Sequence, residues 1–277
     1  MPVSGAAYPF ADLALARLLE RAEAEAGARF IEARARLFPE RGSVWTEVAG
    51  TYAMFDGPVS PVTQTFGFGL FAPADAGHLD QLERFFRDRG ASVFHEISPL
   101  ADSAHAALLA GRGYQPFEFT SVVYRPIARD IALVASAVNP AITVRTVRPA
   151  EHDRWSATAA DGWAENTELR EFILRMGRVH GECADTRLFL AEHDGRPIAT
   201  GALCLRGRVA LLAGASTIPE GRGRGAQNSL LAARLAYAVE HGCDLAMMGA
   251  APGSGSQRNA ERHGFRIAYT RTKWRLP

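Results

Sequence analysis

Two copies of one alternation of helix-like and strand-like segments follow each other along the chain. Each copy runs helix, strand, helix, strand, the first over residues 78–125 and the second over residues 228–276. Apolar residues three or four positions apart mark the helices, and a glycine ends the first helix of each copy, at Gly90 and at Gly242. This order predicts an α/β protein built from two halves of related plan.

Glycine spacing supports the repetition. Gly113 follows Gly90 by 23 residues and Gly264 follows Gly242 by 22 residues, and an aromatic residue comes directly after Gly113 and after Gly264. Unrelated helix-strand-helix-strand units share this coarse pattern, so a chance likeness of the two halves is the alternative interpretation.

Further segments complete the two halves. Residues 11–38 are rich in Ala, Leu, Glu and Arg and predict an exposed N-terminal helix that could serve a homodimer. Residues 62–71 predict a strand of the first half. In the second half, Asp194-Gly195 separates two apolar runs and predicts a hairpin, and the apolar run 208–218 predicts a strand buried on both faces.

The boundary between the halves is expected in a stretch that has no strand alternation. Pro126 and Pro140 flank this stretch. The length of 277 residues leaves room for two medium domains. We therefore predict a first domain over residues 1–125, a linker over 126–141 and a second domain over 142–277.

Composition limits the classes of function. The chain has 47% apolar and 22% charged residues, as expected of a globular protein. Its 31 basic and 30 acidic residues give a net charge of +1, which disfavours a broad electrostatic surface for nucleic acid or an anionic membrane. We expect no nucleic acid and no membrane as partners, and any anion site must be local.

Cysteine usage and the first residues indicate a compartment. Cys183, Cys204 and Cys243 are odd in number and widely spaced, which favours buried thiols in a reducing compartment over disulfides or a zinc site. Residues 1–10 lack the regions of a signal peptide, and no segment approaches the ~20 apolar residues of a membrane span. We expect a cytoplasmic protein without a bound metal.

The stretch "IPEGRGRGAQNSLLAARLA", residues 218–236, joins a predicted strand to a predicted helix. Its three glycines allow positive φ and close approach of a ligand, and the N–H groups at a helix start lack partners within the helix. Arg222 and Arg224 add donors that suit phosphate oxygens. The stretch predicts a phosphate or pyrophosphate site, with a flexible, solvated turn as the alternative.

Two known phosphate motifs fit this stretch poorly. No lysine follows the glycines, which excludes a Walker loop. The dinucleotide pattern G-x-G-x-x-A is formally present at Gly221, Gly223 and Ala226, as in a nucleotide-dependent oxidoreductase. That fold needs several parallel strands after the loop, and only about fifty residues remain.

A third motif fits better. "PEGRGRGAQNSLL" resembles motif A of the GNAT superfamily of acyl-CoA-dependent N-acetyltransferases, R/Q-x-x-G-x-G/A, with Arg222, Gly225 and Gln227 at its first, fourth and sixth positions. Gln227 stands where the pattern has a small residue. "SGSQRNAERHGF", residues 254–265, is similar to the family's segment after strand five. The resemblance covers residues 142–277 and implies an α+β fold of two GNAT-like halves, each a mixed, mostly antiparallel sheet flanked by helices.

The resemblance also implies how acetyl-CoA binds as co-substrate. In the family, backbone groups at the end of strand four bind the pantetheine arm and polarise the thioester carbonyl, and the next loop binds the pyrophosphate. Asn259 lies where the family often has a side chain on the cofactor arm, with a plain surface residue as the alternative. The residues assigned in this way are Ala215, Ser216, Thr217, Ile218, Arg222, Gly223, Arg224, Gly225, Ala226, Gln227 and Asn259.

The resemblance leaves the acid and the base open. The family's usual tyrosine acid is replaced by Ala260, so Tyr269 or water is the candidate acid, with a packed aromatic residue as the alternative for Tyr269. Glu165 could draw a proton from the acceptor through water, or it is simply an exposed charge. Trp163 could line the acceptor site.

The resemblance implies an N-acetyltransferase that moves an acetyl group from acetyl-CoA to the amine of a small molecule. The missing tyrosine motivates an alternative, a non-catalytic acyl-CoA-binding or interaction protein. Between residues 62–71 and the next predicted helix, the first half has neither the glycine spacing nor an arginine. We therefore expect a degenerate first half that covers the substrate channel or stabilises the pair, and one coenzyme site per chain.

Overall fold

The computed structural model describes residues 7–128 and 138–276. Its contacts divide the chain into two compact units, a first unit of Pro9–Tyr124 with Gly249–Pro277 and a second unit that contains Arg125–Met248. None of the helices in the described ranges has the length and the apolar character needed to cross a bilayer.

Seven α-helices and eleven strands follow in chain order within the described ranges. The helices are α1 (Leu13–Leu37), α2 (Ala76–Arg87), α3 (Ala104–Gly111), α4 (His152–Asp161), α5 (Thr167–Gly181), α6 (Ala226–Glu240) and α7 (Gly255–Arg262). The strands are β1 (Val44–Val48), β2 (Thr51–Phe55), β3 (Gln64–Phe66), β4 (Phe94–Ile97), β5 (Gln115–Pro126), β6 (Ile142–Thr146), β7 (Thr186–His193), β8 (Arg196–Arg206), β9 (Val209–Thr217), β10 (Leu245–Ala250) and β11 (Arg266–Arg275).

The first unit contains a mixed sheet in the strand order β1-β2-β3-β4-β11-β5. Its neighbours run antiparallel, except that β3 and β4 are parallel. A parallel pair needs a crossover connection, and α2 supplies it here.

The second unit repeats this plan in the strand order β10-β9-β8-β7-β6. Its neighbours are antiparallel except for β9 and β10, which α6 connects. Each unit thus combines antiparallel strands with one parallel pair crossed by a helix. The predicted fold of two related halves with mixed, mostly antiparallel sheets is confirmed.

The last strand completes the first unit. β11 pairs antiparallel with both β4 and β5, so its backbone hydrogen bonds are made there. The contacts accordingly place Gly249–Pro277 in the first unit, whereas the sequence division assigns residues 142–277 to one domain. Residues 129–137, most of the predicted linker, lie outside the described residues. The predicted domain boundaries therefore stay a prediction.

Local predictions from turn chemistry agree with the structure. Asp194 and Gly195 have φ values of 50° and 72° between β7 and β8, as a type I′ hairpin requires. The hairpin is therefore confirmed. Gly90 and Gly242 also have positive φ, just beyond the ends of α2 and α6.

Two strand predictions need correction. The strand predicted over 62–71 is only Gln64–Phe66, because Gly67 and Gly69 turn the chain with φ values of 88° and 73°. The strand predicted to be buried on both faces is β9. It is buried at residues 209–212, but it becomes exposed at Gly214 and Ala215.

The N-terminal helix is packed rather than exposed. Leu15, Leu19 and Ala22 recur at helical spacing and are almost fully buried, and α1 lies against β1 and β2. The expectation of an exposed helix is therefore wrong, because its apolar stripe forms part of the first unit's core. Homodimer formation stays a prediction.

Four polar side chains, one of them on β4, form a buried hydrogen-bond network in the first unit. His95 has no exposed surface, and its Nδ1 lies 2.7 Å from Thr65 Oγ1. Its Nε2 lies 3.3 Å from the hydroxyl of Tyr114, which donates to Glu83. Burial lowers the pKa of His95 to about 3, so the imidazole is neutral in the folded chain.

We expect His95 to make the first unit sensitive to acid. Between about pH 3 and 6.5 the unfolded chain protonates this imidazole and the folded chain does not. The free energy of unfolding should therefore fall by up to about 1.4 kcal/mol per pH unit as the pH is lowered through this range. Urea unfolding of wild type and His95→Gln at several pH values measures this difference.

The partly exposed His105, also in the first unit, gives a matched control as His105→Gln. Only His95→Gln should flatten the dependence on pH. Parallel curves for wild type and His95→Gln would show that His95 is not the buried neutral group described here.

Candidate functional site

The glycine- and arginine-rich segment connects β9 to α6 beside a surface cavity. After β9 ends at Thr217, one 3₁₀ turn covers Pro219–Gly221, and α6 begins at Ala226. The cavity has a volume of about 180 Å³. Its lining residues are Thr217, Gly221, Arg222, Gly223, Gly225, Ala226, Gln227 and Asn228.

The three glycines of this segment have two different roles. Gly223 and Gly225 have φ values of 75° and 79°, in the left-handed region that other residues rarely adopt. A Cβ at Gly221 would lie 2.8 Å from Ile198 Cβ, so this glycine lets the turn pack against β8. The turn therefore presents backbone without Cβ atoms at Gly223 and Gly225.

The start of α6 is open, whereas the start of α2 is closed. Gly225 is the N-cap of α6, and no side chain in the described ranges caps this helix. At α2, Asp75 Oδ1 accepts hydrogen bonds from the N–H groups of Gly77 at 2.7 Å and His78 at 3.1 Å. These bonds hold the pKa of Asp75 below its ordinary value. An external anion thus finds free donors and a favourable dipole at α6, while α2 carries its own carboxylate.

Arg222 reaches from this segment to the loop between α4 and α5. Its Nη1 lies 3.1 Å from Glu165 Oε1, and its Nη2 donates to Gly162 O at 3.1 Å. The side chains of Arg222 and Glu165 are 51% and 74% exposed. An exposed ion pair contributes about 0–1 kcal/mol, so a diphosphate can replace Glu165 at small cost.

Arg224 braces the turn. Its Nε donates to Glu220 O at 3.1 Å, and its own carbonyl accepts from Asn139 Nδ2 at 3.0 Å. The two arginines predicted to bind phosphate therefore differ. Arg222 is paired with a carboxylate that a bound diphosphate would displace, and Arg224 donates to a backbone carbonyl.

The end of β9 carries a backbone bulge. The register between β8 and β9 shifts between Thr200 and Ala202, so that Gly214 and Ala215 together face Gly201. Gly214 has a φ of 60°, which is typical of the first residue of a G1 bulge. Gly214 and Ala215 are exposed, so the bulge lies at the surface of the second unit.

Pairing between β9 and β10 ends before this bulge. Only residues 209–211 of β9 pair with β10, although β9 continues to Thr217. Within the described pairing, the β10-facing edge of β9 is therefore open beyond Leu211. An open strand edge can hydrogen-bond an extended ligand, and the predicted contact residues 215–218 begin on it.

Gln227 is folded back onto β9. Its Nε2 donates to Ser216 O at 2.9 Å and to Thr217 Oγ1 at 3.0 Å. The side chain that replaces the family's small residue is thus fixed to the strand while it lines one side of the cavity.

The loop between α4 and α5 packs against the end of β9. A Cβ at Gly162 would clash with Ser216 Oγ and would lie 3.0 Å from Thr217 O. Ser216 Oγ donates to Ala159 O at 2.7 Å. This packing places Trp163 and the predicted base Glu165 near the segment between β9 and α6. Trp163 is 43% exposed.

Two predicted site residues lie in the first unit. Asn259 is on α7, where its carbonyl lies 2.7 Å from His263 Nδ1. Tyr269 is on β11, 7% exposed, and its hydroxyl donates to Glu20 Oε1 at 2.9 Å. Burial and the Glu20 carboxylate raise the pKa of Tyr269 well above its ordinary value. These contacts are those of a packed aromatic residue, and the roles of Asn259 and Tyr269 in a reaction stay predictions.

Comparison with known proteins identifies a family for part of the chain. Residues 150–265 match the model of the acetyltransferase (GNAT) family. The chain therefore contains a GNAT-family domain over these residues. The matched residues contain the whole segment from β9 to α6, so the open helix start and the bulged strand belong to the GNAT domain. No protein with a curated description matches the sequence.

Solved structures share the fold. A GCN5-related N-acetyltransferase from Kribbella flavida is 20% identical with a TM-score of 0.62, over 91% of this chain and 95% of that chain. A tandem GNAT protein from the clavulanic acid biosynthesis pathway is 15% identical with a TM-score of 0.58, over 82% and 78%. A GCN5-related N-acetyltransferase from Sphaerobacter thermophilus is 18% identical with a TM-score of 0.53, over 77% and 71%. These likenesses extend across both halves.

Sequence reasoning missed two side chains that contact the bulge. Thr200 Oγ1 donates to Gly214 O at 3.1 Å, and Arg234 Nη1 donates to Ala213 O at 3.2 Å. Arg234 had a sequence signal, because it interrupts the apolar run "LLAARLA" of a predicted helix. Charged residues are rarely buried in proteins, so an arginine within such a run is unusual. Thr200 had none, since threonine is common in strands.

We expect Arg222→Ala and Glu165→Gln to change the affinity for coenzyme A in opposite directions. Arg222→Ala removes a charge-assisted contact to the diphosphate and should raise Kd roughly ten- to hundredfold. Glu165→Gln releases Arg222 from its ion pair and should lower Kd by up to about fivefold. Calorimetric titration with coenzyme A, and with pantetheine, which lacks the diphosphate, measures both effects.

Glu168→Gln is the matched control, since it removes an exposed carboxylate from the first turn of α5 nearby. Pantetheine affinity should respond little to any of these changes. An unchanged coenzyme A affinity in folded Arg222→Ala would mean that the segment is only a solvated turn.

Proposed function

We propose that this chain is an acyl-CoA-dependent N-acetyltransferase that transfers an acetyl group from acetyl-CoA to the amine of a small molecule. One juxtaposition in the second unit carries the proposal: the open start of α6 lies beside the bulged, unpaired end of β9. The first feature suits a diphosphate, and the second suits the extended arm and carbonyl of a thioester. The match of residues 150–265 to the GNAT family supports acetyl-CoA as the acyl donor.

The second unit would divide the coenzyme between two segments. The backbone N–H groups of residues 223–227 and the Arg222 guanidinium would hold the diphosphate. The backbone of residues 215–218 would hydrogen-bond the pantetheine arm, and an N–H group at the bulge would polarise the acyl carbonyl. Acetyl-CoA supplies the thioester whose acetyl group is transferred.

The acceptor would bind next to the loop between α4 and α5. Trp163 offers a half-exposed indole there, and Glu165 lies two residues further. An amine must be neutral to attack a carbonyl, and Glu165 would accept its proton through water once a diphosphate has taken Arg222. We propose water rather than Tyr269 as the acid, because the Tyr269 hydroxyl is buried, donates to Glu20 and has a raised pKa.

A non-catalytic acyl-CoA-binding protein is the second candidate. It is favoured by Ala260, which stands in place of the usual tyrosine and is 1% exposed within α7. Both candidates bind the coenzyme, so turnover separates them.

We expect the purified chain to release coenzyme A thiol from acetyl-CoA when a suitable small amine is present. A continuous thiol assay over diamines, amino sugars, amino acids and arylamines tests this. With an amine that supports turnover, Arg222→Ala should raise KM for acetyl-CoA about tenfold and change kcat little. The contact of Arg222 with the diphosphate would be equally strong in the ground state and in the transition state.

Saturable acetyl-CoA binding without thiol release on any amine would favour the non-catalytic candidate. Failure to bind acetyl-CoA would contradict both.

A further inference from the structure

Arg234 is a buried charge outside the coenzyme contacts. It lies on α6 and is 3% exposed. Its Nη1 donates to Ala202 O and to Ala213 O, each at 3.2 Å, and its Nε donates to Leu230 O at 3.2 Å. All of these acceptors are neutral backbone carbonyls.

Two other buried arginines of the chain have carboxylate partners. Arg34 lies 2.8 Å from Asp56, and Arg271 lies 2.8 Å from Glu23. No carboxylate in the described part of the chain lies within ion-pair distance of Arg234, and burial lowers the pKa of Arg234 to about 10. A buried charge without a counter-charge is unfavourable for folding, so stability does not account for it.

Strand β8 is shaped to admit this guanidinium. A Cβ at Gly201 would lie 2.9 Å from Arg234 Cζ, so glycine leaves the space that the guanidinium fills. Gly201 is also the residue opposite the bulge at Gly214 and Ala215. The positive charge of Arg234 therefore lies directly against the bulge.

Three side chains donate to carbonyl groups at the end of β9. The bonds run from Arg234 Nη1 to Ala213 O at 3.2 Å, from Thr200 Oγ1 to Gly214 O at 3.1 Å and from Gln227 Nε2 to Ser216 O at 2.9 Å. Each of these carbonyls shares a peptide group with the N–H of the following residue. Donation to the carbonyl polarises the peptide group and makes its N–H a stronger donor.

We infer that Arg234 is a positioning residue for acyl transfer and acts through the backbone of β9. Its guanidinium holds the bulge in one geometry and strengthens the N–H groups there toward the carbonyl oxygen of a bound thioester. The inference rests on the proposed function. It adds a side chain that would help the backbone of β9 to stabilise negative charge on the acyl carbonyl. A prearranged donor at the place where negative charge develops lowers a barrier because it needs no reorganisation.

Infrared spectroscopy of bound acetyl-CoA tests this without knowledge of the acceptor. The carbonyl band of [1-¹³C]acetyl-CoA should shift to lower frequency when it binds to wild type. In Arg234→Met, which removes the charge at similar length, the shift should fall to less than about half. Arg234→Lys, which keeps the charge, should retain more of the shift than Arg234→Met.

Stability separates this role from a structural one. Replacing an unpaired buried charge by an apolar side chain is often neutral or stabilising, so Arg234→Met should unfold at the same or a higher urea concentration than wild type. A structural role predicts the reverse, lower stability with an unchanged carbonyl shift. Arg208→Met is the control, because Arg208 is exposed at the other end of β9 and pairs with Asp244.

The remaining outcomes are also decisive. If Arg234→Met does not fold, Thr200→Val decides the question, since it removes the donor to Gly214 O and should reduce the shift as well. A full shift in folded Arg234→Met, or no shift in wild type with acetyl-CoA bound, overturns the inference. Failure of wild type to bind acetyl-CoA instead overturns the proposed function.

Discussion

The early end of pairing between β9 and β10 is the constraint on which the site depends. β10 pairs with β9 only over residues 209–211 of β9. The bulge at Gly214 then interrupts the regular pairing of β9 with β8. Glycine is required at the bulge for two reasons. Its φ is 60°, and a Cβ would lie 3.0 Å from Ala202 Cβ and 3.2 Å from the ring of Trp155. A regular parallel strand here would use the backbone groups that the proposed ligand needs.

The two units share a topology and differ in how their crossover helices begin. α2 follows β3 as α6 follows β9, but Asp75 satisfies the first N–H groups of α2 while Gly225 leaves those of α6 without a capping side chain. The first unit also pairs its buried charges internally, as in the contacts of Arg271 with Glu20 and Glu23. The charge of Arg271 is therefore compensated by carboxylates, whereas Arg234 in the second unit has only carbonyl partners.

Local chemistry made part of the structure predictable. Asp194-Gly195 predicted a hairpin because few residue pairs adopt positive φ twice. The glycines of 221–225 predicted positive φ, which Gly223 and Gly225 have, because each lacks a Cβ. Long-range partners were not predictable in this way. These partners join residues far apart in sequence. Examples are the pairing of β11 with β4 and β5, the packing of α1 in the first unit and the bond between Tyr269 and Glu20.

The site was predictable to the same extent. Spacing located the candidate anion-binding segment, but it did not show that Gln227 folds back onto β9 or that Arg222 is held by Glu165. Such side-chain bonds depend on the direction of each side chain after the strands have assembled. The family pattern also supplied no role for Thr200 or Arg234, because their partners are backbone carbonyls at a bulge that no motif marks.

A crystal structure of the chain grown with saturating coenzyme A tests the central claim most directly. The account predicts one coenzyme per chain, with its diphosphate against residues 222–228, its pantetheine arm along the open edge of β9, and Arg222 turned from Glu165 to the diphosphate. A diphosphate bound at the start of α2 beside Asp75, or two coenzymes per chain, would contradict it.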